Sequence, residues 1–177
     1  MTPELRLDTL ISEADIAKRV YAIGRALTDK LAGRNPIAVC VLKGSFMFYA
    51  DLIRQIEGNV TCEFLGVSSY YGSTKSSGEV KVTLDIGQPI EGRDIILIED
   101  IVDTGLTMQY LQSTLQARQP SSLTTVTLLH KPDAKKVECP LDQIGFTIGN
   151  EFVVGYGLDY QGLYRNLPYI ATLHDMN

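Results

Sequence analysis

IILIEDIVDTGLT, residues 95–107, is the stretch on which the fold turns. Four consecutive apolar residues, Ile95-Ile96-Leu97-Ile98, read as a strand covered on both faces, the mark of a parallel sheet between helices. The strand ends in Glu99-Asp100, a third acid follows at Asp103, and Thr104-Gly105 leads into a helix. Two adjacent carboxylates at a strand end are costly to hold together unless cations or hydroxyl donors meet them. In open α/β sheets the carboxyl ends of strands line the ligand crevice, and the next helix start offers unpaired N–H groups and a favourable dipole to a phosphate. Gly105 permits close backbone approach, and Thr104 and Thr107 add hydroxyl donors. Glu99-Asp100 suit sugar hydroxyls or an Mg2+ ion, which takes oxygen ligands together with substrate phosphates. Read singly, each piece is an ordinary solvated strand end or turn; read together, they set a sugar beside its phosphate.

Outward from this stretch, apolar runs rich in Val and Ile at residues 37–42, 60–67, 123–129 and 152–154 read as further strands. Helical segments at about 46–56 and 106–116 alternate with them. Ahead of them, Ser12-Glu13-Ala14-Asp15 reads as a capping box with Ile11 and Ile16 as its hydrophobic staple. Ile16, Val20, Ile23, Leu27 and Leu31 then form one apolar helix face, which Gly33 ends. The expected fold class is therefore α/β, a central mostly parallel sheet flanked by helices. Residues 70–79 (YYGSTKSSGE) are too polar to pack and too many for a tight hairpin, and read as a mobile loop. On pattern alone, residues 152–158 form a core strand capped by Asp159.

A chain of 177 residues, 45% hydrophobic and 21% charged, has the size and balance of one globular domain. No run approaches the roughly 18 apolar residues of a membrane span. The first residues lack the basic-then-apolar order of a signal peptide, so the expected location is the cytoplasm. Cys40, Cys62 and Cys139 are odd in number and without CxxC spacing, and are expected to be buried small hydrophobes rather than disulfide or zinc ligands. The net charge is −5, and the only paired bases are Lys18-Arg19 and Lys135-Lys136, which argues against nucleic-acid binding. Neither GxxxxGK(S/T) nor GxGxxG occurs.

Taken whole, four apolar residues, two acids, two apolar residues and Asp-Thr-Gly-x-Thr resemble the 5-phosphoribosyl pyrophosphate signature of the type I phosphoribosyltransferases. The likeness extends over most of the chain and points to the hypoxanthine-guanine branch, especially its bacterial members. It implies one phosphoribosyltransferase domain over residues 1–177, with a core at about 33–150 and a small hood from the N-terminal segment and about 151–177. Val41-Leu42-Lys43-Gly44-Ser45-Phe46 resembles the pyrophosphate loop, in which family members can hold a non-proline cis peptide, here Leu42–Lys43. Ser69 and Tyr70 resemble the start of the family's catalytic loop, which closes over the pyrophosphate and excludes water. Tyr71 departs from the glycine common there and would alter the loop's stiffness. The resemblance implies that Glu99 and Asp100 orient the ribose, that Asp103, Thr104, Gly105, Leu106 and Thr107 hold the 5′-phosphate, and that Asp103 takes or shares the purine N7 proton. Lys43, Gly44 and Arg165 would meet the pyrophosphate.

For the base, Ile101, Lys131, Phe152, Val153, Leu158 and Asp159 match the purine-binding positions. Lys131 would donate to a 6-oxo group, which favours oxopurines over adenine. Phe152 would stack on the ring, and the Val153 carbonyl would accept from it. Mg2+ is the implied cofactor, with Glu99, Asp100 and Asp159 at the metal. Hypoxanthine or guanine and 5-phosphoribosyl pyrophosphate are the implied partners, in a homodimer or homotetramer without nucleic acid or membrane. Two alternatives remain: a relative that prefers another base such as xanthine, and a regulatory RNA-binding member that keeps the nucleotide pocket.

Overall fold

The computed structural model describes residues 5–69 and 80–175. Its six-stranded sheet contains β2 (Ile37–Leu42), β3 (Thr61–Ser69), β4 (Val80–Leu84), β5 (Asp94–Val102), β6 (Ser122–His130) and β7 (Gln143–Thr147), in the order β4-β3-β2-β5-β6-β7. Every neighbouring pair is parallel except β3 with β4. Helices α1 (Glu13–Lys30), α2 (Phe46–Ile53) and α3 (Leu106–Gln116) cover it.

Alternation along the strands sends side chains to two cores. Ala38, Cys40, Ile96, Ile98, Val126 and Leu128 pack beneath α1 and α2, whereas Ile37, Val39, Val41, Ile95 and Leu97 pack beneath α3. Burial on both faces explains why these strands are continuous apolar runs. In α1, Ser12 caps the helix by accepting from the Asp15 N–H at 3.1 Å, and its hydroxyl donates to Asp15 Oδ2 at 2.6 Å. Asp15 thus meets the Ser12 hydroxyl rather than the Ser12 backbone N–H of a full capping box. Gly33 takes φ +74 just past the helix end, a left-handed value that glycine adopts freely.

The chain direction positions the site. From β2 the chain passes through α2 to β3 on one side, and from β5 through α3 to β6 on the other, so the sheet order reverses between β2 and β5. Ligands of open α/β sheets bind outside the carboxyl ends of the strands at such a point. The β2–β5 ladder stops at Cys40–Ile98, while β6 pairs with β5 as far as Val102–His130. The last residues of β5 are therefore held on one side and open on the other.

A second, three-stranded sheet joins the chain ends: β1 (Leu5–Ile11), β9 (Ile170–Asp175) and β8 (Val153–Val154), all antiparallel, in the order β1-β9-β8. Only Val153 and Val154 of the expected 152–158 strand are extended. Gly155 at φ +98 and Gly157 at φ +100 turn the chain, and a two-way bond pair between Gly155 and Leu158 closes that turn. No helix among the described residues is long and apolar enough to cross a membrane.

Leu27 is fully buried in α1, whereas Tyr21 one turn and a half away is 58% exposed. Leu27→Ala is expected to cost about 2–5 kcal/mol and Tyr21→Ala within about 0.5 kcal/mol. Chemical denaturation of the two variants checks the assignment of the buried face.

Candidate active site

Glu99 and Asp100 lie in the last residues of β5, at the open edge left by β2. Their backbone is satisfied locally: the Asp100 N–H donates to Glu99 Oε1 at 3.3 Å and the Ile101 N–H to Asp100 Oδ1 at 2.8 Å. Among the described residues, Glu99 Oε2 is buried without a hydrogen-bond partner. Burial first, and then the Asp100 charge, push the Glu99 carboxyl well above the usual carboxylate range. Burial also raises Asp100, against the lowering hydrogen bonds from Glu99 and the Ile101 N–H and the weaker pull of the Arg165 guanidinium. A buried carboxylate oxygen without a partner is a standing cost that a cation or a hydroxyl donor removes.

A cavity of about 220 Å³ opens over this pair, lined also by Ile101, Asp103, Gly105 and Thr107. Gly105 precedes α3 at φ +82, and a Cβ there would fall 2.9 Å from the Val137 carbonyl oxygen and 3.1 Å from Cys139 Sγ. The loop after β6 clasps this turn from behind, with the Lys136 and Val137 N–H groups donating to the Thr104 carbonyl at 2.9 and 3.3 Å. The first N–H groups of α3 thereby face a preformed turn, the arrangement that binds phosphate. Thr104 is half-buried and Leu106 exposed beside it. The Asp103 side chain is exposed and accepts a short bond from the Thr104 N–H.

The β2 end meets the acids directly. Leu42–Lys43 is a cis peptide, Lys43 is exposed, and the Gly44 backbone lies so close to Asp100 that a Cβ would fall 1.6 Å from Oδ2. Ser45 is buried, and its hydroxyl donates to the Val41 carbonyl. A third segment arrives at the same point: a Cβ on Gly157 would fall 2.0 Å from the Gly44 carbonyl oxygen. Gly157 is enclosed by Arg165, whose guanidinium donates to its carbonyl at 2.6 Å and whose carbonyl accepts from its N–H at 2.9 Å. Arg165 Nη2 also pairs with Asp159 Oδ1 at 2.6 Å, and Asp159 Oδ2 accepts from the Gly162 N–H.

Lys131 follows β6. Its N–H donates to the Val102 carbonyl at 2.9 Å, and its ammonium donates to the Glu151 carbonyl at 2.7 Å. Phe152 is half-exposed and edge-on to Tyr160, with ring centroids 5.8 Å apart, while Val153 and Leu158 are buried. Lys131, Phe152, Leu158 and Arg165 stand outside the wall of the acid-pair cavity. Ser69 ends β3, and Tyr70 and Tyr71 lie outside the described residues. Among the described residues no three acidic, histidine or cysteine side chains are grouped to hold a metal by themselves.

Gly157, Glu151 and the Lys136-Val137 amides were not foreseen from sequence. Two glycines flanking Tyr156 were the available signal for the first; the others act through backbone atoms and leave none. Of the cysteines, Cys40 and Cys139 are buried as expected, with burial pushing the Cys40 thiol up to about 12, but Cys62 is exposed.

Residues 10–161 match the family model described as the phosphoribosyl transferase domain. The chain belongs to the phosphoribosyl transferase domain family. It is 48% identical over 164 residues to the hypoxanthine-guanine phosphoribosyltransferase of Lactococcus lactis, covering 93% of this chain and 89% of that one. The Streptococcus thermophilus protein of the same name is 46% identical over 94% of this chain and 92% of its own length. The crystal structure of a Staphylococcus aureus hypoxanthine phosphoribosyltransferase superposes with a TM-score of 0.90 at 46% identity, covering 94% of this chain and 91% of that one. The six-stranded sheet with its flanking helices is thus the phosphoribosyltransferase fold, and the enzyme class follows from the family.

The acid pair gives this phosphoribosyltransferase a distinctive pH dependence without metal. Both carboxyls are raised, so the folded chain keeps protons that the unfolded chain has released, and stability falls as pH rises above the ordinary carboxylate value of about 4.3. Glu99→Gln removes the costly charge. In metal-free calorimetric scans at pH 8 the variant should melt about 2–4 °C higher for each kcal/mol relieved, with the gap closing toward pH 4.5. A variant that melts lower than wild type at pH 8 contradicts the assignment.

Proposed function

We propose that the chain is a purine-salvage enzyme that transfers the 5-phosphoribosyl group of 5-phosphoribosyl 1-pyrophosphate to hypoxanthine and to guanine, giving IMP or GMP and pyrophosphate. The observation that carries this reading is the buried acid pair opening onto the α3 start, with Lys131 fastened to the adjoining strand end. The names of the relatives support the choice of base.

In this reading Glu99 and Asp100 orient the ribose hydroxyls, and Asp103 through Thr107 hold the 5′-phosphate with backbone N–H groups and threonine hydroxyls. Ser69 and Tyr70 close over the pyrophosphate, which Lys43, the Gly44 backbone and Arg165 meet. Lys131 carries donors and no acceptor, so it accepts a 6-oxo group and leaves a 6-amino group unmatched, a mismatch worth several kcal/mol. Phe152 stacks on the purine, the Val153 carbonyl accepts from it, and Ile101, Leu158 and Asp159 border it.

Magnesium fits the residues present. The unpartnered Glu99 Oε2 and the Asp100 carboxylate are hard oxygen ligands, and Mg2+ is commonly held by one or two carboxylates plus substrate phosphates. When bound it neutralises charge on the departing diphosphate. Asp159, with Oδ1 on Arg165, is assigned to a second ion through water. As the C1′–pyrophosphate bond breaks through an oxocarbenium-like state, Lys43 and Arg165 stabilise the leaving group, and Asp103 takes or shares the N7 proton while N9 attacks. The single-domain reading, with the β1-β9-β8 sheet as the hood, belongs to the same proposal. So do a cytoplasmic location, suited to three free cysteines, and a homodimeric or homotetrameric assembly.

The test is conversion of hypoxanthine, guanine, xanthine and adenine with 5-phosphoribosyl pyrophosphate and Mg2+. Turnover of oxopurines without adenine is expected, and Asp103→Asn should retain substrate binding while losing about 10²–10⁴-fold in turnover. Failure to convert any base overturns the function; an undiminished Asp103→Asn overturns the role of Asp103 alone.

A further inference from the structure

The turn that carries Leu158, Asp159 and Arg165 is not built into either sheet. Upstream, Val153 and Val154 are fixed in the ladder with β9, paired with Thr172 and Ala171. Beyond Gly155 the segment folds largely on itself, with Tyr156 N–H on the Leu167 carbonyl, Gly157 N–H on the Arg165 carbonyl and Tyr160 bonded both ways to Leu163. Tyr156 and Leu158 pack this unit into the core under α1 and α2, and among the described residues one long-range side-chain hydrogen bond ties it to the body of the protein, from the Tyr156 hydroxyl to Asp51 Oδ2 at 2.7 Å. Tyr156 is buried in the core under α1 and α2, and burial followed by the hydrogen bond to Asp51 pushes its hydroxyl pKa up.

Asp51 belongs to α2, the helix that begins directly after Lys43, Gly44 and Ser45 and is anchored by Phe48, Tyr49 and Leu52. The bond therefore spans from the helix behind the pyrophosphate loop to the residue before Gly157. Gly157 itself rests against the Gly44 carbonyl and the Met47 Cβ. We propose that Tyr156 and Asp51 are a positioning pair, which sets the Gly157–Arg165 turn at the right distance from Gly44 and so places Arg165 and Asp159 over the pyrophosphate. This rests on the phosphoribosyltransferase reading above. A phenylalanine would fill the same apolar space, so the hydroxyl serves registration rather than packing. The second Asp51 oxygen pairs with the exposed Arg54, a contact of little energetic weight.

The consequence is a split between substrates. The base contacts of Phe152 and Val153 are held by the β8–β9 strands, and Leu158, although on the turn, is held by its burial in the core, whereas the half-buried Arg165 depends on the turn. Steady-state kinetics and melting curves of the full chain should be compared for wild type, Tyr156→Phe, Asp51→Ala, Asp51→Asn and the Tyr156→Phe/Asp51→Ala double variant. The single variants Tyr156→Phe and Asp51→Ala are expected to raise KM for 5-phosphoribosyl pyrophosphate about five- to tenfold, the worth of one hydrogen bond, while KM for hypoxanthine stays within about twofold. The double variant should be no worse than the poorer single, because both remove the same contact. Asp51→Asn keeps an acceptor oxygen for the hydroxyl and should restore wild-type KM within about twofold.

Lower melting temperatures with both KM values unchanged reduce the pair to packing and overturn the proposal. An equal rise in both KM values overturns it as well, since it signals general loosening. A wild type inactive with hypoxanthine removes the functional reading and this role with it, whereas an active wild type matched by its variants removes the pair alone.

Discussion

The active region depends on one close approach, that of the Gly44 backbone to the Asp100 carboxylate. Only a residue without a side chain leaves room for it, and it forces the end of β2 over the acids at the end of β5. The sheet creates the opportunity. The β2–β5 ladder stops at Cys40–Ile98, and β6 continues to support β5 as far as Val102, so Glu99 and Asp100 are rigid on one side and open on the other. Gly157 then stacks its own backbone on the Gly44 carbonyl and brings Arg165 with it. Three segments far apart in the chain thus meet at Gly44, through its approach to the Asp100 carboxylate and through the Gly157 backbone on its carbonyl, and an added methyl group at either glycine would force a shift.

This packing also explains how an acidic chain can serve an anionic substrate. The net charge of −5 offers no long-range attraction to phosphates. The acids at the site are buried and raised in pKa, and among the described residues Glu99 Oε2 has no hydrogen-bond partner, which in the proposed function suits them to a cation or sugar hydroxyl. The positive groups are placed singly: the α3 N-terminus behind Gly105, Lys43 on the loop, Lys131 after β6, and Arg165 against Gly157. In the proposed function recognition would be local, with each donor facing one part of the substrate.

Much of this was legible because it is contiguous. β2 and α3 fall on their expected residues, since an apolar run between turn residues and a phosphate-loop glycine each mark their own boundary. The Glu99–Thr107 stretch carries acids, turn and helix start within one short segment. The chain ends were less legible. β1, LRLDTLI, alternates apolar and polar residues and is extended only because β9 arrives from the opposite end of the chain to pair with it. The 152–158 run looked like a single strand, but Gly155 and Gly157 adopt left-handed φ values and fold it back. The strand β5 runs two residues past the acids because β6 goes on pairing with it, a length that a polar dipeptide conceals. Contacts such as Tyr156–Asp51 and Lys131–Glu151 depend on tertiary placement, and no local spacing encodes them.

The central constraint is open to direct measurement by titration calorimetry of 5-phosphoribosyl pyrophosphate with Mg2+ into wild type and Gly44→Ala. The added methyl must displace the Asp100 carboxylate from its bond with the Ile101 N–H, so affinity should fall roughly ten- to a hundredfold, with the far-ultraviolet spectrum of the fold unchanged. A Gly44→Ala protein that binds as tightly as wild type would show that the approach of the Gly44 backbone to the Asp100 carboxylate does not build the site.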